Sequence, residues 1–321
     1  MATYYVSAAT GNDSDSGLSE ALAWLTIDKG MNTVAAGDKV WVKADGDYVE
    51  KPIIDTAGTN IAPIVFEGYT ATPGDGGRAT ITRNGAAPNC LTGSLGTADI
   101  FYVFKNFRFT SPLANTYVIS LNGNYVTFKN CKMDSASGGG GGVNGYGLLC
   151  ESCEFSSIGS NGVEVGGKGG IFIDCIFYSI GGYGLYHNNG SLVLICCTFF
   201  ANGNAIYSGA TEGNVVVFNC TIDGNSKVTQ TGLDFGNTTG LLCFANSVFY
   251  DCVRGIRQST ASRGERVSSC NNLVNANTTA YTNASTFTGE VTSAPQFTNE
   301  VGGADYTPAA GSPLINAGLN G

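Results

Sequence analysis

From residue 104 onward, apolar and polar positions alternate around a recurring Asn or Cys. The motif runs Phe104-Lys105-Asn106-Phe107-Arg108-Phe109, Phe128-Lys129-Asn130-Cys131-Lys132-Met133 and Cys150-Glu151-Ser152-Cys153-Glu154-Phe155. It continues as Phe172-Ile173-Asp174-Cys175-Ile176-Phe177, Leu194-Ile195-Cys196-Cys197-Thr198-Phe199, Val217-Phe218-Asn219-Cys220-Thr221-Ile222 and Phe244-Ala245-Asn246-Ser247-Val248-Phe249, and fades at Asn271-Asn272-Leu273-Val274. Positions 130, 152, 174 and 196 are each 22 apart, with flanking intervals of 24, 23, 27 and 25. A second short strand follows each motif, at Val163-Glu164-Val165, Leu185-Tyr186-His187, Ile206-Tyr207-Ser208, Leu233-Asp234-Phe235 and Ile256-Arg257-Gln258, usually introduced by Gly162, Gly184, Gly232 or Gly255.

Period-2 alternation broken by Gly and Asn, with no helical period between, describes strands and turns alone. At about 3.3 Å per residue, 22 residues trace roughly 70 Å, one turn of a three-sided coil. The spacing predicts a right-handed parallel β-helix whose coils stack about 4.8 Å apart. A leucine-rich repeat would show its leucine consensus, and a propeller blade is about twice as long. The expected organisation is one structural domain: a strand and helix cap over residues 1–45, the β-helix over 46–288 and a capping tail over 289–321. In the cap, Tyr4 to Val6 reads as a strand, and Thr26 N-caps a short helix with Ile27, Met31 and Val34 as its apolar stripe. The strand Lys39-Val40-Trp41-Val42-Lys43 follows.

Composition fits this picture. The 321 residues include 46 Gly and 8 Pro, 43% are hydrophobic, and only 13% are charged. Disorder, collagen and a membrane-spanning helix are excluded by hydrophobicity, glycine spacing and the absence of a long apolar run. Glycine is expected at the coil corners, many of which need positive φ. The net charge is -9, and the 16 Lys and Arg are scattered, which argues against nucleic acid. Eleven Cys cannot all pair within one chain. Cys131, Cys153, Cys175, Cys197 and Cys220 recur at one position and are expected to form a buried ladder of reduced thiols. A zinc reading of Cys150-Glu151-Ser152-Cys153 lacks the second pair that a structural site needs. The start has neither a basic nor an apolar leader region. The expected location is therefore a virion, or an extracellular or cell surface reached without a visible signal peptide, after synthesis in a reducing cytoplasm.

The front of the chain, Tyr5-Val6-Ser7 with Gly11-Asn12-Asp13 and Gly17, then Trp24-Leu25-Thr26-Ile27 and Gly37-Asp38-Lys39-Val40-Trp41-Val42, resembles the opening of pectate-lyase-like right-handed β-helix proteins. Gly311-Ser312-Pro313-Leu314-Ile315-Asn316-Ala317-Gly318 resembles their closing tail, and the Asn-Cys-x-Phe coils resemble their repeat. The resemblance spans nearly the whole chain. It implies a fold shared by polysaccharide lyases, glycoside hydrolases, phage tailspikes and surface proteins without catalysis. Lyases of this type combine calcium-binding acidic residues with an Arg or Lys base. The polygalacturonase-like hydrolases use three aspartates with Gly-His-Gly and Arg-x-Lys. Here the one histidine, His187, has no flanking glycines, no Asp-Asp pair exists, and Arg254-Gly255-Ile256-Arg257 is a distant echo of Arg-x-Lys.

Strand phase gives a candidate site. With Val163, Leu185, Ile206, Leu233 and Ile256 inward, Asn144, Glu164, Tyr186, Tyr207, Asp234 and Arg257 point outward along one face. Glu164 and Asp234 lie three coils apart, roughly 14 Å, beyond the roughly 5 to 9.5 Å of paired glycosidase carboxylates. Asp234 and Arg257, one coil apart, form either a structural ion pair or a lyase-like base beside a metal-binding carboxylate. The catalytic candidates are Asp234, Arg257 and Glu164. Tyr186 and Tyr207 are either a stacking platform for sugar rings or an aromatic ladder between coils. With His187 and Asn144 they are the ligand-binding candidates, although the phase of His187 also fits a hydrogen-bonded structural role. Asp13 and Asp15 in the loop Asp13-Ser14-Asp15-Ser16-Gly17 are candidate calcium ligands, without the downstream glutamate of an EF-hand. Gly138 to Gly142 is expected to widen one coil. Just before the Asn column, Lys105, Lys129 and Glu151 give way to Ile173, Ile195 and Phe218, an apolar stripe suited to a homotrimer. The function expected is a tailspike or receptor-binding β-helix that recognises polysaccharide or a cell-surface glycan. The alternatives are a calcium-dependent polysaccharide lyase and a purely structural β-helix.

Overall fold

The structure, a computed structural model, describes residues 1–83, 89–93, 95–96, 98–111, 117–135, 141–209, 213–224, 231–236, 241–258, 267–270, 272–275, 277–282, 293, 297–299, 305–310 and 312. Among the described residues the regular structure is almost all strand, with helix only at Glu20–Leu22 and Ile27–Met31. Two compact units are present, Met1–Ser160 and Asn161–Gly321.

In the first unit, Thr3–Ser7 pairs in parallel with Lys39–Lys43, which pairs with Ile64–Tyr69, then Asp99–Lys105, Ile119–Lys129 and Val143–Glu151. A second sheet runs through Asp47–Val49, Ala79–Thr82, Phe107–Ser111 and Lys132–Ser135 to Glu154–Ile158. The helix Ile27–Met31 begins where Thr26 Oγ1 accepts from the Lys29 amide, and Ile27, Met31 and Val34 are buried. Both N-terminal elements lie where the hydrophobic pattern puts them.

The second unit shows the three-sided coil plainly. In Val163–Ile173, residues 163–165 pair with Tyr183–His187 and residues 170–173 with Leu192–Ile195. The first ladder continues through Asn204–Ser208, Thr231–Phe235, Arg254–Gln258 and Thr279–Thr282. The second continues through Val215–Phe218, Leu242–Ala245 and Val267–Cys270. The third side is Ile176–Ile180, Thr198–Phe200, Thr221–Asp223, Val248–Tyr250 and Leu273–Asn275. Every register in these three ladders is parallel, so like residues stack on like. Phe177 and Phe199 lie 4.4 Å apart and 2° from parallel, and Leu185, Ile206, Leu233 and Ile256 fill another inward column.

The cysteine column is buried in both units, at Cys131 and Cys153 in the first and Cys175, Cys197 and Cys220 in the second. The ten cysteines with described side chains are free thiols. Each Sγ of the column lies near a carbonyl oxygen, as Cys153 does at 3.4 Å from Phe128 O. Burial pushes the Cys131 and Cys220 thiols up. Such thiols are small apolar fillers with a weak donor.

The corners extend one expectation. Glycine takes positive φ at Gly167, Gly169, Gly190 and Gly213, as expected, and the Asn column joins it: Asn106, Asn130 and Ser152 in the first unit, and Asp174, Cys196, Asn219 and Asn246 in the second, all at φ between 50° and 60°. Asn and Asp tolerate this conformation because their side chains bond locally. Here Asn130 Nδ2 donates to Asn106 Oδ1 at 2.8 Å. Glycine also answers a second need, because a Cβ on Gly162 would stand 2.6 Å from Gly184 O and one on Gly184 2.9 Å from Ala205 O. Close stacking of successive coils sets those positions.

The tail 289–321 is described only in part, with Phe297–Asn299 antiparallel to Asp305–Pro308. The motif at 311–318, Ser312 apart, and the coil-widening glycines 138–140 lie outside the described residues. Among the described residues no helix is long and apolar enough to cross a membrane.

Candidate functional site

The outward column of the second unit is continuous in register: Glu164 opposite Tyr186, Tyr186 opposite Tyr207, Tyr207 opposite Asp234, Asp234 opposite Arg257. Parallel pairing on a half-buried face makes these five successive rungs of one ladder. At the first rung, Asn161 Nδ2 donates to Glu164 Oε1 at 2.8 Å. Tyr186 and Tyr207 stack at 4.8 Å between centroids and 9° between planes. Tyr183, which strand phase alone does not single out, tilts against both, at 5.5 Å and 45° from Tyr186 and 5.1 Å and 43° from Tyr207. Two tyrosine faces are therefore spent on each other. An aromatic ladder between coils is present, with Tyr207 as its last aromatic rung before Asp234.

Asp234 keeps its outward register but is covered. It is only 5% exposed, and its Oδ1 has no hydrogen-bond partner. Arg257 Nε lies 3.5 Å from that oxygen, with the Arg257 side chain 39% exposed. Burial pushes the Asp234 carboxyl above the usual carboxylate range, against the opposing pull of Arg257 and then Arg254. Burial also raises the Tyr183 phenol, helped by the Asp234 charge. The arrangement couples a poorly solvated carboxyl, a partly exposed guanidinium and a phenol in one place. Such groups can hold a polyhydroxylated ligand or pass a proton.

The other predicted residues fall elsewhere. His187 is fully buried, so it cannot meet a ligand. Its Nε2 donates to Gly190 O at 3.0 Å, leaving Nδ1 to accept from Ser208 Oγ at 2.9 Å. Burial lowers its pKa, as a structural imidazole held neutral requires. Asn144 belongs to the first unit, where it faces Ser120 across the ladder. Glu164, about 14 Å from Asp234 by rung spacing, is not brought to it. Ile173, Ile195 and Phe218 share one half-buried outward column.

Calcium does not fit the residues proposed for it. Asp13 Oδ1 accepts from the Leu25 and Thr26 amides at 2.8 and 3.0 Å, and Oδ2 from Thr26 Oγ1 at 2.9 Å. Asp15 contributes its carbonyl oxygen to Trp24 Nε1 at 3.0 Å. The loop thus clasps the entry to the helix. Among the described residues no group of three or more His, Cys, Asp or Glu is placed to hold a metal ion. Asp234 has cations around it, where a calcium site needs several oxygen ligands.

No protein-family model matches the chain. Lacto-N-biosidase of Bifidobacterium longum subsp. longum is 29% identical over 137 residues, 41% of this chain. The chain spans 8% of the length of that curated relative. Among solved structures, pectate lyase Pel9A matches 99% of this chain and 92% of its own, with a TM-score of 0.69 at 17% identity. The chain has the pectate-lyase-like right-handed parallel β-helix fold. Alginate lyase from Paenibacillus sp. str. FPU-7 shares this β-helix over 78% of the chain, with a TM-score of 0.50 at 14% identity.

Proposed function

We propose that this β-helix recognises a polysaccharide or cell-surface glycan on the outward ladder of its second unit, as a tailspike or receptor-binding protein at a virion or cell surface. The observation that carries this reading is the run Tyr207, Asp234, Arg257 in register, with Tyr183 against Tyr207 and Tyr186 backing it. An aromatic face beside a carboxylate and a guanidinium is the mixed apolar and hydrogen-bonding surface that a sugar ring needs. The names of its likenesses, a pectate lyase, an alginate lyase and a lacto-N-biosidase, support a saccharide as the ligand class. Free thiols throughout the described core are in keeping with synthesis in a reducing compartment. The half-buried column Ile173, Ile195 and Phe218 supports self-association as a trimer, which light scattering on the intact chain tests.

A chemical reading rests on the raised carboxyl of Asp234 beside Arg257. A polysaccharide lyase would release unsaturated sugars, and Arg257→Ala would abolish that release. The two readings separate in one experiment: the chain is incubated with a polysaccharide panel while bound and cleaved saccharide are both measured. Binding without unsaturated product supports recognition. Product that requires Arg257 supports the lyase, and neither signal leaves a structural β-helix.

A further inference from the structure

We infer that the second unit holds a single pyranose ring in a slot between Tyr207 and Arg257, over Asp234, and that the glycan chain crosses the ladder rather than running along it. This rests on the saccharide reading above. Tyr186 and Tyr207 stack face to face on adjacent rungs, so their ring normals lie roughly along the rung-to-rung direction. Tyr186 covers one face of Tyr207, while the next rung, Asp234, carries a much shorter side chain. Arg257 follows one rung beyond. Tyr207 and Arg257 are thus two rungs apart, about 9.6 Å, which admits one sugar ring lying flat on the tyrosine face. Tyr183, inclined at 43° to Tyr207, closes one side.

The floor is a carboxylate that is nearly fully buried and whose Oδ1 has no hydrogen-bond partner. A buried polar oxygen left unbonded costs free energy until a donor meets it. Two vicinal hydroxyls of a pyranose supply such donors. Arg257 reaches back toward this oxygen without bonding it, and its 39% exposure lets it swing outward and donate to the ring instead. A ring seated on Tyr207 has its plane across the rung direction. Equatorial glycosidic bonds then leave sideways, along the strands, and a second sugar gains little from Tyr186 or Glu164.

The test is isothermal titration of the intact chain with two series joined by equatorial bonds at both ends of the ring, β-1,4-gluco-oligosaccharides and β-1,4-oligomannuronates, each from one to six rings. The two series separate a neutral from an acidic ring in the same slot. The slot predicts that affinity in the binding series levels off after one or two rings. It also predicts that Tyr207→Leu weakens binding about tenfold, and that Tyr207→Phe, which keeps the ring face, recovers most of the loss. Tyr178→Leu, in the stacked pair Tyr178 and Phe200 on another side of the coil, controls for general loss of aromatic surface. Affinity that climbs steadily to six rings overturns the crossing chain and leaves the saccharide reading standing. Binding that is indifferent to Tyr207→Leu overturns the slot and moves saccharide recognition off this ladder. No binding in either series overturns both.

Discussion

The two units present the same interior and different exteriors. In the first, the outward column Trp41, Glu67, Lys105, Lys129 and Glu151 is knit by ion pairs, Lys39 to Glu67 at 3.0 Å, Lys105 to Glu67 at 3.7 Å, and Lys129 to Glu151. Another outward face repeats the device with Arg108 to Asp134 at 3.0 Å and Lys132 to Glu154 at 2.7 Å. In the second unit the column before the Asn corner is Ile173, Ile195 and Phe218, and the other face carries Tyr178 stacked on Phe200. Inward, both units stack Phe on Phe and Cys on Cys. The inward columns specify the coil, and the outward columns are free to differ.

The largest effect expected bears on the shared interior. Phe104→Ala in the first unit and Phe199→Ala in the second should each cost about 3–5 kcal/mol in denaturant unfolding. A small loss at either position would break the equivalence of the two cores. Next comes the contrast outside. Ile195→Asp should convert a trimer to a monomer by light scattering, whereas Lys129→Ala with Glu151→Ala should leave the mass unchanged and cost less than about 1 kcal/mol, as exposed ion pairs do. A monomeric parent protein would remove self-association from the account.

The inward and outward phase of the second-unit strands as far as Arg254–Gln258 was legible, because parallel stacking turns a period of two into continuous columns. The same reasoning placed Glu164, Tyr186, Tyr207, Asp234 and Arg257 on one ladder. It could not tell that Asp234 would be covered, since phase says which way a side chain leaves the sheet and nothing about what folds over it. Tyr183 was missed for a related reason. Its ring reaches Tyr186 and Tyr207 by leaning rather than by sharing their register. The Asp13 loop looked like a metal site because carboxylates in a Gly-Ser loop suit both a cation and backbone amides, and here the amides of Leu25 and Thr26 take Asp13. Asn at the corners was visible as a repeat, but its left-handed backbone was not.

Proton linkage is the smallest effect, and its sign differs between groups. In the first unit, Asp75 accepts from the Gly77, Thr70, Ala71 and Thr72 amides, which hold its carboxyl well below the usual range. Its contribution is present above the unfolded pKa and is lost as pH falls through the folded one. Asp234 runs the other way. Its folded pKa is raised, so the native state is favoured below the unfolded pKa, and that advantage fades as pH rises through the folded value. His187 has a lowered folded pKa, so stability should fall as pH drops below its unfolded pKa of about 6.5. Asp234→Asn should flatten the first of the two second-unit slopes, and His187→Gln the second. Unfolding curves that keep both slopes in the variants would assign the pH dependence to other groups.

Recognition on the outward ladder of the second unit turns on the Tyr207 rung. The most direct test is equilibrium binding of a polysaccharide panel to three proteins: the parent chain, Tyr207→Leu, and Ser120→Ala on the corresponding rung face of the first unit. The parent and Ser120→Ala should bind the same glycan with the same affinity, and Tyr207→Leu should bind it about tenfold more weakly. Equal binding by all three, or loss in Ser120→Ala, would contradict recognition on this ladder.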